Sequence, residues 1–300
     1  GRLSVESTVS DEAGRGTVRV TLGDEPGVVR VRASVFGFPS EVVFALTGVP
    51  SDVEPIDDGG ATGSDQVNIL RVDGRDDWVR VRVPSLDHPL AYPGTGGWSM
   101  EIWAKPASRQ SVGVVAGQAS INDSPKDPYY IEVWQDNIFI VQDNLGSGAG
   151  SGTVSERPTV GEWTHFAGTF EDGAAANTLR YYMNGELKGE SSTQISIGSR
   201  GSEFDPFAIG FLASFGSTAG FAEFHGDIDE VRIWSRTLSE DDIQANMRSE
   251  LTGTEEGLVG YWNFNGLTTD GRVPDITDNG SHGELLFDAQ LVYSADAPVP

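Results

Sequence analysis

The segment PYYIEVWQDN, from Pro128 to Asn137, contains residue types that proteins use to bind sugars. An aromatic ring stacks on the C–H face of a pyranose, and polar side chains beside it bond to the hydroxyl groups. In a strand, alternation turns Ile131 and Val133 toward the core. The candidate ligand contacts then lie on the opposite face and in the adjoining turn: Tyr130, Glu132, Trp134, Asp136 and Asn137. The same triplet could instead pack under loops, so both interpretations stay open.

Nucleophilic and zinc chemistry have little support in this sequence. The chain contains no cysteine, which excludes disulfides, thiolate metal sites and cysteine nucleophiles. No motif of a nucleophile or a zinc site surrounds a histidine. The histidines lie in separate segments: His88, His165, His225 and His282.

The acidic charge balance narrows the classes of partner. Lysine and arginine number 20 against 45 aspartates and glutamates, which gives a formal net charge of −25. Such a chain repels phosphate and anionic headgroups, which argues against nucleic acid and membrane surfaces. An acidic, lysine-poor surface is typical of a halophilic protein, with an ordinary acidic exported protein as the alternative. No apolar run could span a bilayer and no leader is evident, so we expect a secreted or cell-surface segment of a longer chain.

The stretch from Gly226 to Met247 predicts a strand that is followed by a short helix. Its first half alternates, which places four residues on one face of the strand: Ile228, Glu230, Arg232 and Trp234. Ser239 can cap the helix, acidic residues fill the first turn, and Leu238 can pack against Ile243.

The rest of the chain has the frequent turn residues that are typical of an all-β protein. It contains 38 glycines and 15 prolines between short alternating runs. We predict a small sheet over residues 1–52, an exposed linker over 53–65, and an antiparallel β-sandwich with jelly-roll topology over 66–300. Two glycine-rich stretches, from Leu145 and from Gly210, are expected to be rim loops. The run from Glu284 to Val292 is expected to be one strand.

The N-terminal pattern GRLSVESTVSDEAGRGTVRVTLGDEPGVVRVRASVFG, followed by VVFALTGVP, resembles half of a bacterial immunoglobulin-like repeat of the invasin and intimin type. Such repeats form rods on bacterial surfaces. The resemblance covers about a sixth of the chain and implies a structural role, with neighbouring repeats of a longer chain as partners.

A more specific resemblance covers about three quarters of the chain. Its motifs occur in order: DG with DWV from Asp73, WSMEIWAKP from Trp98, GEWTHFAGTF from Gly161, LRYYMNGE from Leu179, GDIDEVRIWSRTLSEDDI from Gly226, GLVGYWNFN from Gly257, and DITDNGSHGEL from Asp275. The series resembles the laminin G-like, concanavalin A-like lectin/glucanase superfamily in its bacterial form. Membership implies two stacked antiparallel sheets, often a structural calcium, and a carbohydrate or protein ligand.

The resemblance also implies roles for particular residues. It places Asp73 and Asp229 near each other as calcium ligands, with Asp77 and Asp275 as additions, although Asp73 could simply shape a turn. It assigns three tryptophans to the core framework: Trp103, Trp163 and Trp262. By strand parity, Glu101 and Trp103 share one face of a strand that we expect to lie beside the Tyr130 strand.

We therefore expect a non-catalytic extracellular adhesion module that binds carbohydrate and is supported by calcium. The alternative is a spacer of a long surface protein that binds nothing. A glycoside hydrolase is the third and least favoured hypothesis. The glucanases of this superfold carry a Glu-x-Asp-x-x-Glu run. The carboxylates near Glu101 and Asp227 do not have that spacing.

Overall fold

The computed structural model describes residues 27–34, 41–48, 68–75, 77–85, 87–91, 96–108, 113–118, 129–134, 137–142, 150–154, 158–173, 177–193, 206–210 and 224–299. The chain divides into two compact units, Gly1–Ser64 and Asp65–Pro300. In the first unit, β1 (Gly27–Ser34) pairs antiparallel with β2 (Glu41–Gly48). The other strands predicted for residues 1–52, and the predicted linker, lie outside the described residues. The immunoglobulin-like repeat stays a prediction.

The second unit contains fifteen strands and one helix in its described residues. Their bounds are β3 Ile69–Asp73, β4 Trp78–Val81, β5 Gly97–Pro106, β6 Gly113–Gln118, β7 Tyr129–Trp134, β8 Asn137–Gln142, β9 Gly150–Val154, β10 Thr164–Glu171, β11 Asn177–Met183, β12 Glu186–Thr193, β13 Phe207–Ile209, β14 His225–Trp234, α1 Glu240–Asn246, β15 Leu258–Trp262, β16 Gly283–Leu286 and β17 Gln290–Val292.

These strands form two antiparallel sheets. One sheet has the order β12-β11-β10-β5-β14-β3-β17, with β15 also paired to β14, and the other has the order β16-β4-β13-β6-β7-β8-β9. The predicted jelly-roll sandwich with one short helix is therefore confirmed. One prediction about neighbours is wrong: β5 lies between β10 and β14 in the eight-stranded sheet, so it does not adjoin β7.

The main apolar core lies between the two sheets. Ile102 and Phe166 of the eight-stranded sheet are fully buried, as is Ile131 of the seven-stranded sheet. Phe207 and Trp262 stack across the core with ring centroids 5.4 Å apart. Burial of such large side chains is the dominant stabilising term of a sandwich of this kind. A second cluster covers the outward face of the eight-stranded sheet: Ala167, Tyr182, Trp234, Leu238, Ile243, Leu258 and Tyr261.

A β-bulge in β14 overturns the predicted alternation of that strand. Its register against β5 shifts between Asp229 and Arg232, and Glu230 has a positive φ of 54°. The extra residue exchanges the faces of the strand at that point. Ile228, which was predicted to share a face with Trp234, therefore faces the main core with two other residues: Val231 and Ile233. Trp234 packs on the outward face.

The helix begins where the sequence predicts. Ser239 accepts a hydrogen bond from the backbone N–H of Asp242, and the Asp242 carboxylate accepts one from the N–H of Ser239. This reciprocal capping box satisfies two backbone donors that a helix start would otherwise leave unpaired. Leu238 and Ile243 are both buried in the outward cluster, so α1 is anchored over the eight-stranded sheet.

Two edge strands were not predicted from the sequence, and one predicted strand is divided between the two sheets. β12 is an edge strand of the eight-stranded sheet, and β9 is an edge strand of the seven-stranded sheet. Both are glycine-rich or polar, so they lack the apolar alternation that identifies a half-buried strand. The predicted strand from Glu284 to Val292 is two strands in different sheets. They are separated by a turn at Phe287, which has a positive φ of 59°.

Within the described part of the chain, no helical segment has the length and apolar character that a bilayer crossing requires.

Candidate binding site

The predicted sugar-binding strand lies in the seven-stranded sheet as β7. Tyr129, Ile131 and Val133 are buried in the core, whereas Tyr130 and Glu132 are half-buried on the outward face. Trp134 occupies the next position of the same parity and pairs with Asn137, the first residue of β8. The side chains of these two residues, and the whole of Asp136, lie outside the described residues. The assignment of all five as ligand contacts stays a prediction.

The outward face of this sheet connects β7 to β4 through one row of paired residues. Tyr130 pairs with Gly117, Gly117 with Ala208, Ala208 with Arg80, and Arg80 with Glu284. Neighbouring strands are about 4.8 Å apart, so Arg80 and Tyr130 are separated by about 14 Å. The acidic and aromatic residues of β7 therefore share a face with an arginine of β4.

The middle of this row is closed by aromatic packing. Ala208 is fully buried in a small cluster with Trp78 and Leu286. A Cβ atom at Gly117 would lie 2.2 Å from the Cβ of Tyr130, so only glycine leaves room for Tyr130 at this close approach. Trp78 and Leu286 therefore cover the middle of the row at Ala208.

One end of the face holds a pocket of about 430 Å³. This volume lies in the range of small-ligand sites. The pocket lies at strands β4 and β16 and is completed by the loops on either side. Its lining consists of Arg80, Arg82, Pro84, His88, Arg272, Asn279, Gly280, Ser281, His282 and Glu284.

The cations of the pocket are arranged around a single lining carboxylate. Arg80 donates to Oε2 of Glu284 from Nη2 at 2.7 Å and from Nε at 3.3 Å. Nη2 of Arg82 lies 3.7 Å from the same oxygen, and 78% of the Arg82 side chain is exposed. Arg272 enters from the opposite loop and is paired with Asp270, which does not line the pocket. The Arg80 guanidinium holds the pKa of Glu284 below its ordinary value.

The neutral side of the pocket is built from histidine and hydroxyl groups. Nδ1 of His88 accepts a hydrogen bond from the N–H of Leu90, and Nε2 lies 3.3 Å from Oγ of Ser281. Nδ1 of His282 accepts a hydrogen bond from the N–H of Asp275 at 3.0 Å. A neutral imidazole that accepts at Nδ1 carries its hydrogen on Nε2, so His88 donates its Nε2–H to the Ser281 hydroxyl and His282 presents an Nε2–H donor to the pocket. Burial lowers the pKa of His88, which favours the neutral form.

The eight-stranded sheet carries a buried polar network under α1. Oε2 of Glu101 accepts a hydrogen bond from Nε1 of Trp234 at 2.9 Å, and Oε1 lies 3.6 Å from Nε2 of His165. Glu230 is bonded to Arg232 and accepts from the Tyr261 hydroxyl at 2.8 Å. Arg232 also donates to the carbonyl oxygen of Asn246 at 2.8 Å, at the end of the helix.

Burial controls the protonation of this network. It raises the pKa of Glu101 to about 7, against the opposing effect of Arg232, and lowers that of His165 to about 3. Groups with shifted pKa values can mark a catalytic site, but they also occur in structural networks. Glu101 is fully buried and His165 is 1% exposed, so a substrate cannot contact either group in this structure. The network joins β5, β10, β14 and β15 to the helix.

The aspartates predicted to bind calcium lie in separate places. Oδ2 of Asp77 accepts from the N–H of Asp73, and its Oδ1 accepts from the N–H of Asp288, both at 3.0 Å. Asp73 pairs with His225, four positions before Asp229 along β14. Four strand positions correspond to about 13 Å. The structure therefore brings Asp73 and Asp77 together but keeps Asp229 apart from them.

The other two positions have their oxygens engaged or enclosed. Asp275 accepts hydrogen bonds from the backbone N–H groups of Tyr261, Thr277 and Ser281 and from the Thr277 hydroxyl. Asp229 is 2% exposed, and burial raises its pKa well above the ordinary value. Among the described residues, no group of three or more histidines and carboxylates is placed to hold a metal ion. Calcium needs six to eight oxygen ligands, so these four residues do not form its site as arranged here.

Of the tryptophans assigned to the core, Trp103 and Trp262 are buried and Trp163 is only half-buried. Trp103 and Trp163 line a shallow groove on the outward face of the eight-stranded sheet. Lys105 lies over the ring of Trp163 at 5.9 Å and pairs with Asp296 at 2.7 Å, so the charges of Lys105 and Asp296 are paired within the chain.

The fold defines the class of protein: a two-sheet antiparallel sandwich with its one described helix packed on the outside. The chain belongs to the concanavalin A-like lectin/glucanases superfamily, whose family model matches residues 73–244. A candidate carbohydrate-binding protein from Bacteroides ovatus shares the fold, with a TM-score of 0.56 and 18% identity, covering 87% of this chain and 69% of that one.

Two further proteins are similar to parts of this chain. A heptameric SAP-like pentraxin from Limulus polyphemus has a TM-score of 0.44 and 14% identity, covering 61% of this chain and 82% of that one. The N,N-dimethylformamidase β subunit of an Alcaligenes species is 24% identical over an alignment of 231 positions, which covers 69% of this chain and 29% of that subunit. The chain thus spans less than a third of the length of this curated relative.

The pocket was not predictable from the sequence. Its arginines and histidines come from segments about two hundred residues apart, from Arg80 to Glu284. One local signal was available, since the alternating run WVRVRVP places Arg80 and Arg82 on one face of a strand in an acid-rich chain.

Proposed function

We propose that this chain is a non-catalytic carbohydrate-binding module whose site is the outward face of the seven-stranded sheet. The observation that carries the proposal is the pocket of about 430 Å³ at the β4–β16 end of that face. It combines arginine donors, the imidazole donor of His282, a serine hydroxyl, an asparagine side chain and one carboxylate. Sugar hydroxyls both donate and accept, so they are recognised by such a mixed set of groups.

The half-buried Tyr130 and Glu132 extend the proposed site toward β7. They share the outward face with Arg80, about 14 Å away across three strand spacings. An aromatic ring beside an acceptor suits a second sugar ring of an oligosaccharide. This arrangement favours a short glycan chain over a single monosaccharide.

The comparisons support this class of ligand at a coarse level. The family includes lectins by its description, and the Bacteroides ovatus protein with the same fold is described as a candidate carbohydrate-binding protein. Because this fold hosts several functions, the pocket and not the fold carries the proposal. The chain covers only 29% of the dimethylformamidase subunit, and we propose no amidase activity for it.

We propose a binding role without catalysis, outside the cell, in adhesion to glycans of a surface or a secreted polymer. The sequence has no Glu-x-Asp-x-x-Glu run at Glu101 or Asp227, and Glu101 is closed off from any ligand. Retaining glycosidases need two carboxyl groups about 5 Å apart at the scissile bond. The pocket has only Glu284 as a lining carboxylate.

A glycan array followed by calorimetry tests the proposal. Asn279→Trp should fill the pocket and lower the affinity for array hits at least tenfold. Asp278→Trp is the matched control, because Asp278 is the adjacent exposed residue and does not line the pocket. Asp278→Trp should melt close to the wild type, and Asn279→Trp somewhat below it, because Nδ2 of Asn279 donates to the carbonyl oxygen of Val259 at 3.0 Å. An array with no hits, or equal loss of binding in both variants, would contradict the proposed site.

Calcium support stays a prediction, and no part of the proposed site depends on it. Melting curves with EDTA and with added calcium test it directly. A melting temperature that falls in EDTA and is restored by calcium would support a structural ion. An unchanged melting temperature would remove calcium from the description of this protein.

A further inference from the structure

We infer that the pocket recognises an anionic group, so that the ligand of the proposed carbohydrate site is an acidic glycan carrying a carboxylate or a sulfate. The inference rests on the proposed function for its glycan part. Its anion part rests on the charges of the pocket alone.

The pocket has a positive charge, whereas the molecule as a whole has a negative charge. Arg80, Arg82 and Arg272 contribute three positive charges and Glu284 contributes one negative charge, while Asp270 outside the lining pairs with Arg272, so the pocket keeps an excess of one positive charge. The whole chain has a formal charge of −25, with only 20 basic residues in 300. A concentration of cations in so acidic a chain offers one place where an anion is attracted rather than repelled.

Arg82 is the arginine of the pocket whose donors are open to an anion, because Arg80 is bonded to Glu284 and Arg272 is bonded to Asp270. Glu284 holds Arg80 through two hydrogen bonds, which fixes the orientation of that guanidinium. Arg82 is 78% exposed and approaches Glu284 only to 3.7 Å, so its donors remain open to a ligand. A planar guanidinium matches the two oxygens of a carboxylate or a sulfate, and a charge-assisted pair is stronger than a neutral hydrogen bond.

The neutral groups of the pocket fit the sugar that would carry the anion. The Nε2–H group of His282, the Ser281 hydroxyl and the Asn279 side chain line the same space as the arginines. A small inorganic anion would use the arginines and leave these groups to water. An acidic sugar uses both sets, which is why the geometry favours an acidic glycan over a free ion.

Calorimetry on the full chain with three oligosaccharide probes tests the inference. The probes are oligogalacturonides for carboxylates, chondroitin sulfate hexasaccharides for sulfates, and cellohexaose as the neutral reference. Inorganic sulfate is titrated separately as the free-anion reference. We expect one of the acidic probes to bind at least tenfold more tightly than cellohexaose at low salt. Raising the salt concentration should weaken that binding and leave any neutral binding nearly unchanged.

Two pocket variants and one matched control separate the mechanism from general charge. Arg82→Gln should weaken acidic-probe binding by about tenfold, the effect of losing one charge-assisted bond. Glu284→Gln removes the competing carboxylate and should strengthen it severalfold. Arg75→Gln is the control, because Arg75 is 82% exposed and lies 3.9 Å from Asp73, outside the pocket. It should leave binding within about twofold.

The outcomes distinguish this inference from the proposed function. Binding of cellohexaose that equals the acidic probes, with Arg82→Gln inert, would overturn the acidic ligand and leave the carbohydrate site standing. Binding of inorganic sulfate that depends on Arg82, with no oligosaccharide bound, would overturn the carbohydrate site and leave the anion pocket. An equal effect of Arg75→Gln and Arg82→Gln would show that net charge, not the pocket, is responsible.

Discussion

Glu101 is an acidic residue whose protonation is decided by its place in the buried network. Burial raises its pKa from 4.5 to about 7, so the folded state holds this proton to a higher pH than the unfolded state. Its contribution to stability is complete below pH 4.5 and is lost as the pH rises to about 7. His165 acts in the opposite direction. Burial lowers its pKa from 6.5 to about 3, so its contribution is lost as the pH falls from 6.5 toward 3.

Glu101→Gln should therefore change the pH dependence of stability. The variant keeps an oxygen for the Trp234 donor but has no proton to release, while the His165 contribution is common to both proteins. From pH 4.5 to 7, the free energy of unfolding should shift in favour of the variant by about 3 kcal/mol. Urea unfolding across this range measures the shift. Parallel curves for the two proteins would contradict it, and the exposed Glu256→Gln should give parallel curves.

Tyr261 supplies the neutral donor that satisfies Glu230. Its hydroxyl lies 2.8 Å from Oε2 of that carboxylate, and the residue is fully buried. Tyr261→Phe should lower the free energy of unfolding by about 1–3 kcal/mol, because a buried carboxylate loses a donor that water cannot replace. Urea unfolding with an unchanged m-value measures the loss. Tyr293→Phe is the control, since Tyr293 is 59% exposed, and an equal loss in both variants would refute the role of the bond.

At the scale of elements, the bulge in β14 makes the buried network possible. The shift between Asp229 and Arg232 turns Asp229, Arg232 and Trp234 to the outward face and keeps Ile228 and Val231 in the main core. A regular strand would place Arg232 on the same side as Ile228, against apolar residues, at a prohibitive desolvation cost. A bulge is not visible in the alternation of the sequence, because it inserts one residue without changing residue type.

The capping box should contribute measurably to the stability of α1. Ser239→Ala removes the side-chain oxygen that accepts from the N–H of Asp242 at 3.1 Å. We expect a loss of about 1 kcal/mol in the free energy of unfolding, the usual effect of a lost N-cap. Ser239→Thr keeps the oxygen and should lose less. If the alanine and threonine variants are equally stable, the cap does not contribute as proposed.

At the scale of the molecule, the second unit should be an independent folding domain. Its core is built from residues between Leu70 and Ala289, and the family match at residues 73–244 lies wholly within it. A fragment of residues 65–300 should unfold in one cooperative transition and keep the glycan affinity of the full chain within about twofold. Circular dichroism and calorimetry measure both properties. A fragment that is unfolded or does not bind would show that the first unit is required.

Residue patterns along the chain were sufficient to predict its local structure. Alternation of apolar and polar residues is a property of one strand, so it predicted the β-sandwich, the buried and outward faces of β7, and the capped helix after Ser239. The order of motifs predicted the superfamily. It did not reveal the edge strands β9 and β12, because an edge strand need not bury an apolar face.

Which strands are neighbours follows from the tertiary structure and not from these local patterns. Pairing between strands distant in sequence placed β5 away from β7, so Glu101 and Trp103 lie under the helix and not beside Tyr130. It kept Asp229 apart from Asp73, and it joined Arg80 to Glu284, 204 residues away. A residue type records what a side chain can do. The pairing of distant segments decides which groups act together, and the candidate site of this protein is a product of that pairing.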